Sequence, residues 1–396
     1  MNIRRSTFKK RSVAGATIAV TAFVVTTVGV PPTLASAQPV AVQATKATKA
    51  KLLVSATQKV PGGAVDVDWP AAGRARLEVA GLATVGSKNS ATAKVPTASI
   101  AKVMTAYTIL KSHPLAAGAS GPSITLTSAD VASYNRLRSE GATVLKVKAG
   151  TRLTQRQLLQ GLLISSGANF AETLARWDSG SVSKFVSKMN ANARSLGMTN
   201  TTYVDPTGMS TKSASSTEDL LDLAPAAMGK VAFREIVKTK SAKIPLNTLS
   251  NTNKLLGSNN VIGIKTGTTT PAGACLLFAA TDKVNGKTYT IYGVVLGLKG
   301  KYKNSRAAYA KAMVTSTQSE LRAVTLLKKG TPLVSVTRAN GKVEKYGVKA
   351  SLSAPAWDGL AYRLSLPSGL AKGQTPKTIT VKAGAKSYTT ALVKVG

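Results

Sequence analysis

The stretch Pro96-Thr97-Ala98-Ser99-Ile100-Ala101-Lys102-Val103-Met104-Thr105 decides how the rest of the chain is read. Ile100, Val103, Met104, Tyr107 and Leu110 recur with a 3.6-residue period, which predicts a helix from about Ala98 to Lys111. Ser99 stands at its mouth and Lys102 follows three residues later, so both lie on one face within reach of each other. A serine hydroxyl is a poor nucleophile until a base removes its proton. Lysine serves as that base only when burial or a neighbouring cation lowers its pKa. The free N–H groups of the first turn also favour negative charge developing beside Ser99. Alone, the spacing equally suits a helix cap and a solvated lysine, so partners must be found elsewhere in the chain.

Working outward, Thr154 and Gln157 form a capping box ahead of the apolar stripe Leu158, Leu159, Leu162 and Leu163. That helix runs into Ile164-Ser165-Ser166-Gly167-Ala168-Asn169, a tight bend able to deliver the Ser166 hydroxyl into a cleft. A further helix carries Val182, Phe185, Val186, Met189, Ala193 and Leu196 and closes on Gly197. Ser216 and Asp219 cap another that holds Leu220, Leu221 and Leu223. The period then changes to two. Val261–Gly267, Ala274–Ala280 and Thr288–Leu298 read as strands, the last two joined by an Asn285-Gly286 hairpin turn.

Short strands are expected earlier, at Ala75–Val79 and Leu82–Val85 with a turn at Gly86–Asn89, and a strand-like run at Val144–Val147. Helix returns from Ala307 to about Leu321. Helices inserted between early and late antiparallel strands indicate an α/β (α+β) fold, an antiparallel sheet covered by helices plus a helical subdomain. On the first late strand, Lys265 and Thr266 can clamp a carboxylate, and Gly267 lets a substrate backbone lie close to the strand edge. From about Arg322 short alternating runs with turn signals predict a small all-β domain.

The chain has 396 residues and 53 Lys+Arg against 16 Asp+Glu, a net charge of +37. Arg4, Arg5, Lys9, Lys10 and Arg11 precede an uncharged, largely apolar run from Val13 to Val30, then Ala35-Ser36-Ala37. This is the anatomy of a secretory signal peptide over 1–37, with an uncleaved anchor as the alternative. Residues 38–62, rich in Ala, Thr and Lys, are expected to be a disordered linker. A catalytic domain is expected over 63–321 and the β-rich domain over 322–396. Cys275 is the sole cysteine, so no internal disulfide is available; it reads as a small core residue. His113 is the sole histidine, which argues against a histidine triad or histidine-based metal site. No metal or cofactor is called for. With 5% aromatics and no basic-aromatic motif, an exported chain is a poor nucleic-acid binder. The charge suits retention on anionic cell-wall polymers or enrichment of carboxylate-bearing peptides, with solubility or an acidic habitat as the alternative.

Ser99-x-x-Lys102, then Ser166, then Lys265-Thr266-Gly267 is the motif order of penicillin-binding proteins and serine β-lactamases. From about Trp69 to Leu298 the chain resembles the D-alanyl-D-alanine carboxypeptidases, the low-molecular-mass penicillin-binding proteins. The resemblance is carried by Pro96–Thr105, Gln157–Ala175, Tyr203-Val204-Asp205-Pro206-Thr207-Gly208, Asn253-Lys254-Leu255-Leu256-Gly257 and Gly263–Ala280. Beyond Arg322 the likeness is only to the small β domain that some members carry. The resemblance implies a penicillin-binding fold in which Ser99 forms an acyl-enzyme with the penultimate D-alanine of a peptidoglycan stem peptide. Lys102, held neutral, would take the Ser99 proton and Ser166 would relay it to the departing amine. Lys265 and Thr266 would hold the terminal carboxylate, and the N–H groups of Ser99 and Thr268 would form the oxyanion hole. β-Lactams would be covalent inhibitors.

One departure stands out. The family's Ser-x-Asn motif reads Ser166-Gly167-Ala168 here, with Asn169 one place late. Losing such a contact costs roughly 1–3 kcal/mol, so activity is expected to be attenuated unless a reshaped bend brings Asn169 to the substrate. A serine β-lactamase is disfavoured because no Glu-x-x-x-Asn motif follows to supply a deacylation base. The third reading is a non-catalytic wall-binding homologue.

Overall fold

The computed structural model describes residues 47–396, so the export signal and the first linker residues lie outside the described residues. A five-stranded antiparallel sheet runs in the order Val261–Thr269, Gly273–Val284, Lys287–Leu298, Arg74–Val79, Ala83–Lys88. Its second strand is buried without interruption from Gly273 to Ala280 because both of its faces are covered. Strand alternation divides the side chains. Cys275, Leu277 and Ala279 join the helical core, while Ala274, Leu276 and Phe278 meet Ala310, Met313 and Val314 of the helix Arg306–Glu320. Cys275 is a buried core thiol, as expected. The connection at Asn285 and Gly286 has φ of 49° and 74°, the two positive values a type I′ hairpin turn needs.

On the helical side, a single 3-10 turn, Ala98–Ile100, leads into the helix Ala101–Ser112. This helix was expected to bury one face; instead Ala101 through Leu110 are all buried. Its polar members are satisfied internally: the Thr105 hydroxyl donates to Pro206 O at 2.7 Å, and Thr108 Oγ1 accepts from Asn192 Nδ2 at 3.0 Å. Both bonds of the Thr154–Gln157 capping box form, and Ser216 Oγ accepts from Asp219 N at 3.1 Å.

Two local expectations are corrected. The strand at Ala83–Lys88 runs through Gly86, so the turn there starts only at Asn89. Val144–Val147 forms no strand. Asn169 bonds both backbone groups of Leu145, and Asn247 those of Lys146, each at 2.9–3.0 Å, so side-chain amides take the place of a strand partner.

After the helix Arg306–Glu320 the chain enters a seven-stranded sheet. Its order is Lys51–Leu52, Pro332–Thr337, Val343–Val348, Lys386–Lys394, Thr378–Ala383, Ala361–Ser365, Thr57–Lys59. The described part of the 38–62 segment is therefore not a disordered spacer. Lys51 pairs with Ser335 and Leu52 with Val334, while Thr57–Lys59 pairs with Ala361–Arg363. Strands of two and three residues carry no readable alternation; only the distant partner defines them. Among the described residues no helix is long and apolar enough to cross a membrane.

Candidate active site

Ser99 occupies the middle of the 3-10 turn, directly after Ala98, which is buried with φ +48°. A left-handed non-glycine residue costs on the order of 1 kcal/mol or more and persists where surrounding packing dictates it. Lys102 Nζ lies 2.9 Å from Ser99 Oγ and 2.7 Å from the carbonyl oxygen of Thr207. The lysine is 1% exposed. Burial pulls its pKa from 10.5 down to about 7, against the opposing pull of the Asp205 carboxylate. Protonated, Nζ donates to both oxygens; neutral, it keeps an N–H for Thr207 O and turns a lone pair to the Ser99 hydroxyl.

The carbonyl that anchors Lys102 is presented by a turn folded around Asp205. Asp205 Oδ1 accepts from Thr207 N (2.7 Å), Thr207 Oγ1 (2.5 Å), Gly208 N (2.5 Å) and Met209 N (3.3 Å). Its Oδ2 accepts from Ser210 N (3.2 Å) and Ser213 Oγ (2.8 Å). Burial alone would raise the Asp205 pKa; these hydrogen bonds, led by those of Thr207 and Ser213, overcome it and hold the carboxyl below its ordinary range. Gly208 is required here: φ is +76°, and a Cβ would stand 1.9 Å from Ala98 O. The turn and the nucleophile loop thus touch backbone to backbone. Tyr203–Gly208 carried the family resemblance in the sequence, but the role of Asp205 as the turn's centre was not legible.

Opposite Ser99 runs the edge strand Val261–Thr269. A Cβ on Gly267 would lie 2.9 Å from Thr97 O and 3.0 Å from Ser99 N, so the strand passes directly against the nucleophile turn. Lys265 is 1% exposed and donates to Thr266 O at 2.9 Å. Its pKa falls well below 10.5, first through burial, then through the charges of Lys102 and Arg306. A neighbouring cation was one of the two ways expected to lower the pKa of Lys102; the structure puts that effect on Lys265. Thr266 Oγ1 is 2.6 Å from Thr252 Oγ1, and Thr252 N donates to Ile164 O at 3.2 Å. Ser165 Oγ donates to Ser250 O at 3.2 Å. The 164–166 bend is thereby tied through residues 250–252 to the strand bearing Lys265 and Thr266. At that bend Ser166 is buried with φ +65°.

Arg306 is a residue that sequence reasoning missed. From the start of the last helix it donates to Gly267 O at 3.2 Å and Thr268 Oγ1 at 2.5 Å. With Thr252, Lys254, Thr266, Thr268 and Lys303 it lines a cavity of about 190 Å³ along the strand. Only its place among the basic residues after the hairpin could have pointed to it.

Asn169 is a correction. It is fully buried and spends its amide on both backbone groups of Leu145, which fixes the 143–147 loop. It does not replace the missing motif asparagine, and Ala168, at 1% exposure, has no polar side-chain group to offer. His113 stands apart from these residues: its Nε2 is 3.0 Å from Asp178 Oδ1, and its ring lies 4.1 Å from that of Trp177.

A half-buried serine with a buried lysine one turn on, set directly beside a Lys-Thr-Gly edge strand, defines a serine peptidase site of the penicillin-binding type. The sequence profile of the D-alanyl-D-alanine carboxypeptidases matches residues 83–300, and the chain belongs to that family. It is 40% identical over 165 residues to a D-alanyl-D-alanine carboxypeptidase of Streptomyces sp. strain K15, covering 37% of this chain and 55% of that protein. It is 34% identical over 216 residues to a D-alanyl-D-alanine endopeptidase of Pseudomonas aeruginosa, covering 52% and 65%. The match thus spans between half and two thirds of these relatives' length. The crystal structure of the Streptomyces K15 DD-transpeptidase superposes with a TM-score of 0.57 at 28% identity, covering 64% of this chain and 100% of that one. Penicillin-binding protein 5 of Haemophilus influenzae shares the fold over 86% of this chain, with a TM-score of 0.59 at 21% identity. The expected α/β penicillin-binding fold with a terminal β region is the one found.

Proposed function

We propose that this chain is an exported serine D-alanyl-D-alanine carboxypeptidase that trims peptidoglycan stem peptides through a Ser99 acyl-enzyme. The observation that carries the reading is the buried Lys102 Nζ, 2.9 Å from Ser99 Oγ with a pKa near 7, a base half-neutral at neutral pH. Neutral Lys102 takes the Ser99 proton as Oγ attacks the penultimate D-alanine carbonyl. The backbone N–H groups of Ser99 and Thr268 receive the oxyanion, Lys265 and Thr266 hold the terminal carboxylate, and Ser166 passes the proton to the leaving D-alanine amine. Water then hydrolyses the ester. A β-lactam enters by the same attack but leaves a long-lived ester. The basic head, apolar run and Ala35-Ser36-Ala37 support export, and the +37 charge supports retention beside anionic wall polymers.

Mixing the protein with a fluorescent penicillin and a D-Ala-D-Ala peptide tests this reading. A lasting adduct on Ser99 together with D-alanine release is the expected result, and Ser99→Ala abolishes both. Rapid turnover of the penicillin would make the chain a β-lactamase, and an absence of any Ser99 adduct would leave it non-catalytic.

A further inference from the structure

The outward face of the terminal sheet carries a charge pattern that the cleft does not use. Alternation sends Val336, Val348, Leu364, Ile379 and Val381 into the core. The intervening positions expose Lys51, Lys345, Arg363, Lys382 and Lys59, separated by the hydroxyls of Ser335, Thr380, Thr389 and Ser387. Register organises them into rows. Lys51 pairs with Ser335 and Ser335 with Lys345. At the other end Thr57 pairs with Arg363, Arg363 with Lys382 and Lys382 with Ser387.

Like charges directly opposite each other destabilise an antiparallel pair, yet neither Arg363 nor Lys382 has an ion-pair partner among the described residues. No carboxylate projects from this face. Beyond Arg322 the chain has two, Glu344 and Asp358. Glu344 turns to the other side, where it accepts from Lys394, Tyr346 and Arg338, and Asp358 accepts from Arg322. The cationic rows sit opposite Ser387 and Val395, at the two ends of one strand. At ~3.3 Å per residue that separates them by about 26 Å, with the paired hydroxyls of Thr380 and Thr389, 3.1 Å apart, between.

We infer that this face docks a linear polyol-phosphate chain of the cell wall. Spaced phosphodiesters meet lysine and arginine at both ends of the sheet, and the serine and threonine hydroxyls donate to oxygens between them. The span accommodates several repeat units, so a single free phosphate gains only one of the two rows. The inference deepens the wall-side reading above but uses no residue of the cleft, so penicillin labelling at Ser99 reports the catalytic reading separately.

The test measures binding of poly(glycerol phosphate) to the full chain at low ionic strength, by calorimetry or co-sedimentation. Two variants with the same loss of charge are compared. One carries Lys51→Gln, Lys59→Gln, Lys345→Gln, Arg363→Gln and Lys382→Gln; the other carries Lys184→Gln, Lys238→Gln, Lys240→Gln, Lys283→Gln and Lys311→Gln. The sheet variant is expected to bind at least tenfold more weakly and the control within about twofold of the parent, with glycerol phosphate monomer binding at least a hundredfold more weakly than the polymer. Both variants are expected to keep Ser99 labelling, which shows the sheet variant is folded. Equal losses in the two variants, or no loss in the sheet variant, would overturn the inference. So would binding to vesicles containing anionic lipid that matches the polymer and is lost in the same variant, which would make the occupant a membrane.

Discussion

Replacing Asp205 with asparagine separates two jobs done by one carboxylate. Oδ1 can stay in place and keep its four bonds from Thr207, Gly208 and Met209. An amide nitrogen at the Oδ2 position opposes both the Ser210 N–H and the Ser213 hydroxyl, whose oxygen already accepts from Val204 N and Asp205 N and cannot turn to accept a third donor. The buried Ser213 hydroxyl is left without an acceptor, and the half-buried Ser210 N–H loses a charge-assisted bond. At about 1–3 kcal/mol for the orphaned donor, a loss of roughly 2 kcal/mol in unfolding free energy is expected. The second consequence is catalytic. Lys102 must be neutral to accept the Ser99 proton, so activity rises with pH through its folded pKa near 7. Asp205 opposes that lowering, and removing its charge moves the Lys102 pKa further down. The acid limb of kcat/KM for D-Ala-D-Ala peptide release is therefore expected to shift to lower pH in Asp205→Asn, even as the plateau falls. An acid limb that stays put or moves up would refute the assignment of Lys102 as the base under the influence of Asp205.

Gly267→Ala drives a methyl to about 3 Å from both Thr97 O and Ser99 N; acylation by penicillin in stopped flow is expected to slow by at least a hundredfold, with little change in thermal midpoint. Ala168→Asn returns an amide to the middle motif and is expected to raise peptide kcat/KM about tenfold, from ~1.4 kcal/mol per factor of ten; an unchanged rate in a folded variant would show that the missing amide does not limit turnover. Glu78 is raised from 4.5 to about 7, by burial first and then by Asp222. The folded state thus binds the extra proton between those values, and stability falls as pH rises from about 4.5 to 7. Glu78→Gln is expected to flatten that slope in denaturant titrations, gaining stability at pH 8 relative to the parent and little at pH 4.

What the sequence revealed depended on the range of the interaction that fixes each element. The helix after Ser99, the hairpin at Asn285-Gly286 and the capping box at Thr154 are settled by neighbours a few residues away, and their patterns are plain in the chain. The proximity of Ser99 and Lys102 follows from one helical turn. By contrast, Lys51–Leu52 is a strand only because residues 334 and 335 lie beside it. Val144–Val147 has strand composition but is held by the amides of Asn169 and Asn247. Asn169 illustrates the limit most directly: its type and approximate position suited the motif, but a one-residue offset on a helix turns a side chain by about 100°, here toward Leu145. Arg306 and Asp205 act through bonds to backbone groups and to hydroxyls around them, which leave no signature in residue spacing.

The two short strands at Lys51–Leu52 and Thr57–Lys59 occupy opposite edges of the terminal sheet, so the earliest described residues flank a structure whose other strands lie beyond residue 331. Each edge pairing joins residues 51–59 to partners beyond residue 331, which places this closure late in folding because its loops are long. Once it is made, the strands at the two edges are only two and three residues long, which leaves little edge for another chain to extend. A protease cutting between residues 52 and 57 would free both ends of this clasp together. The terminal sheet's integrity thus depends on a segment that precedes the catalytic residues in the chain.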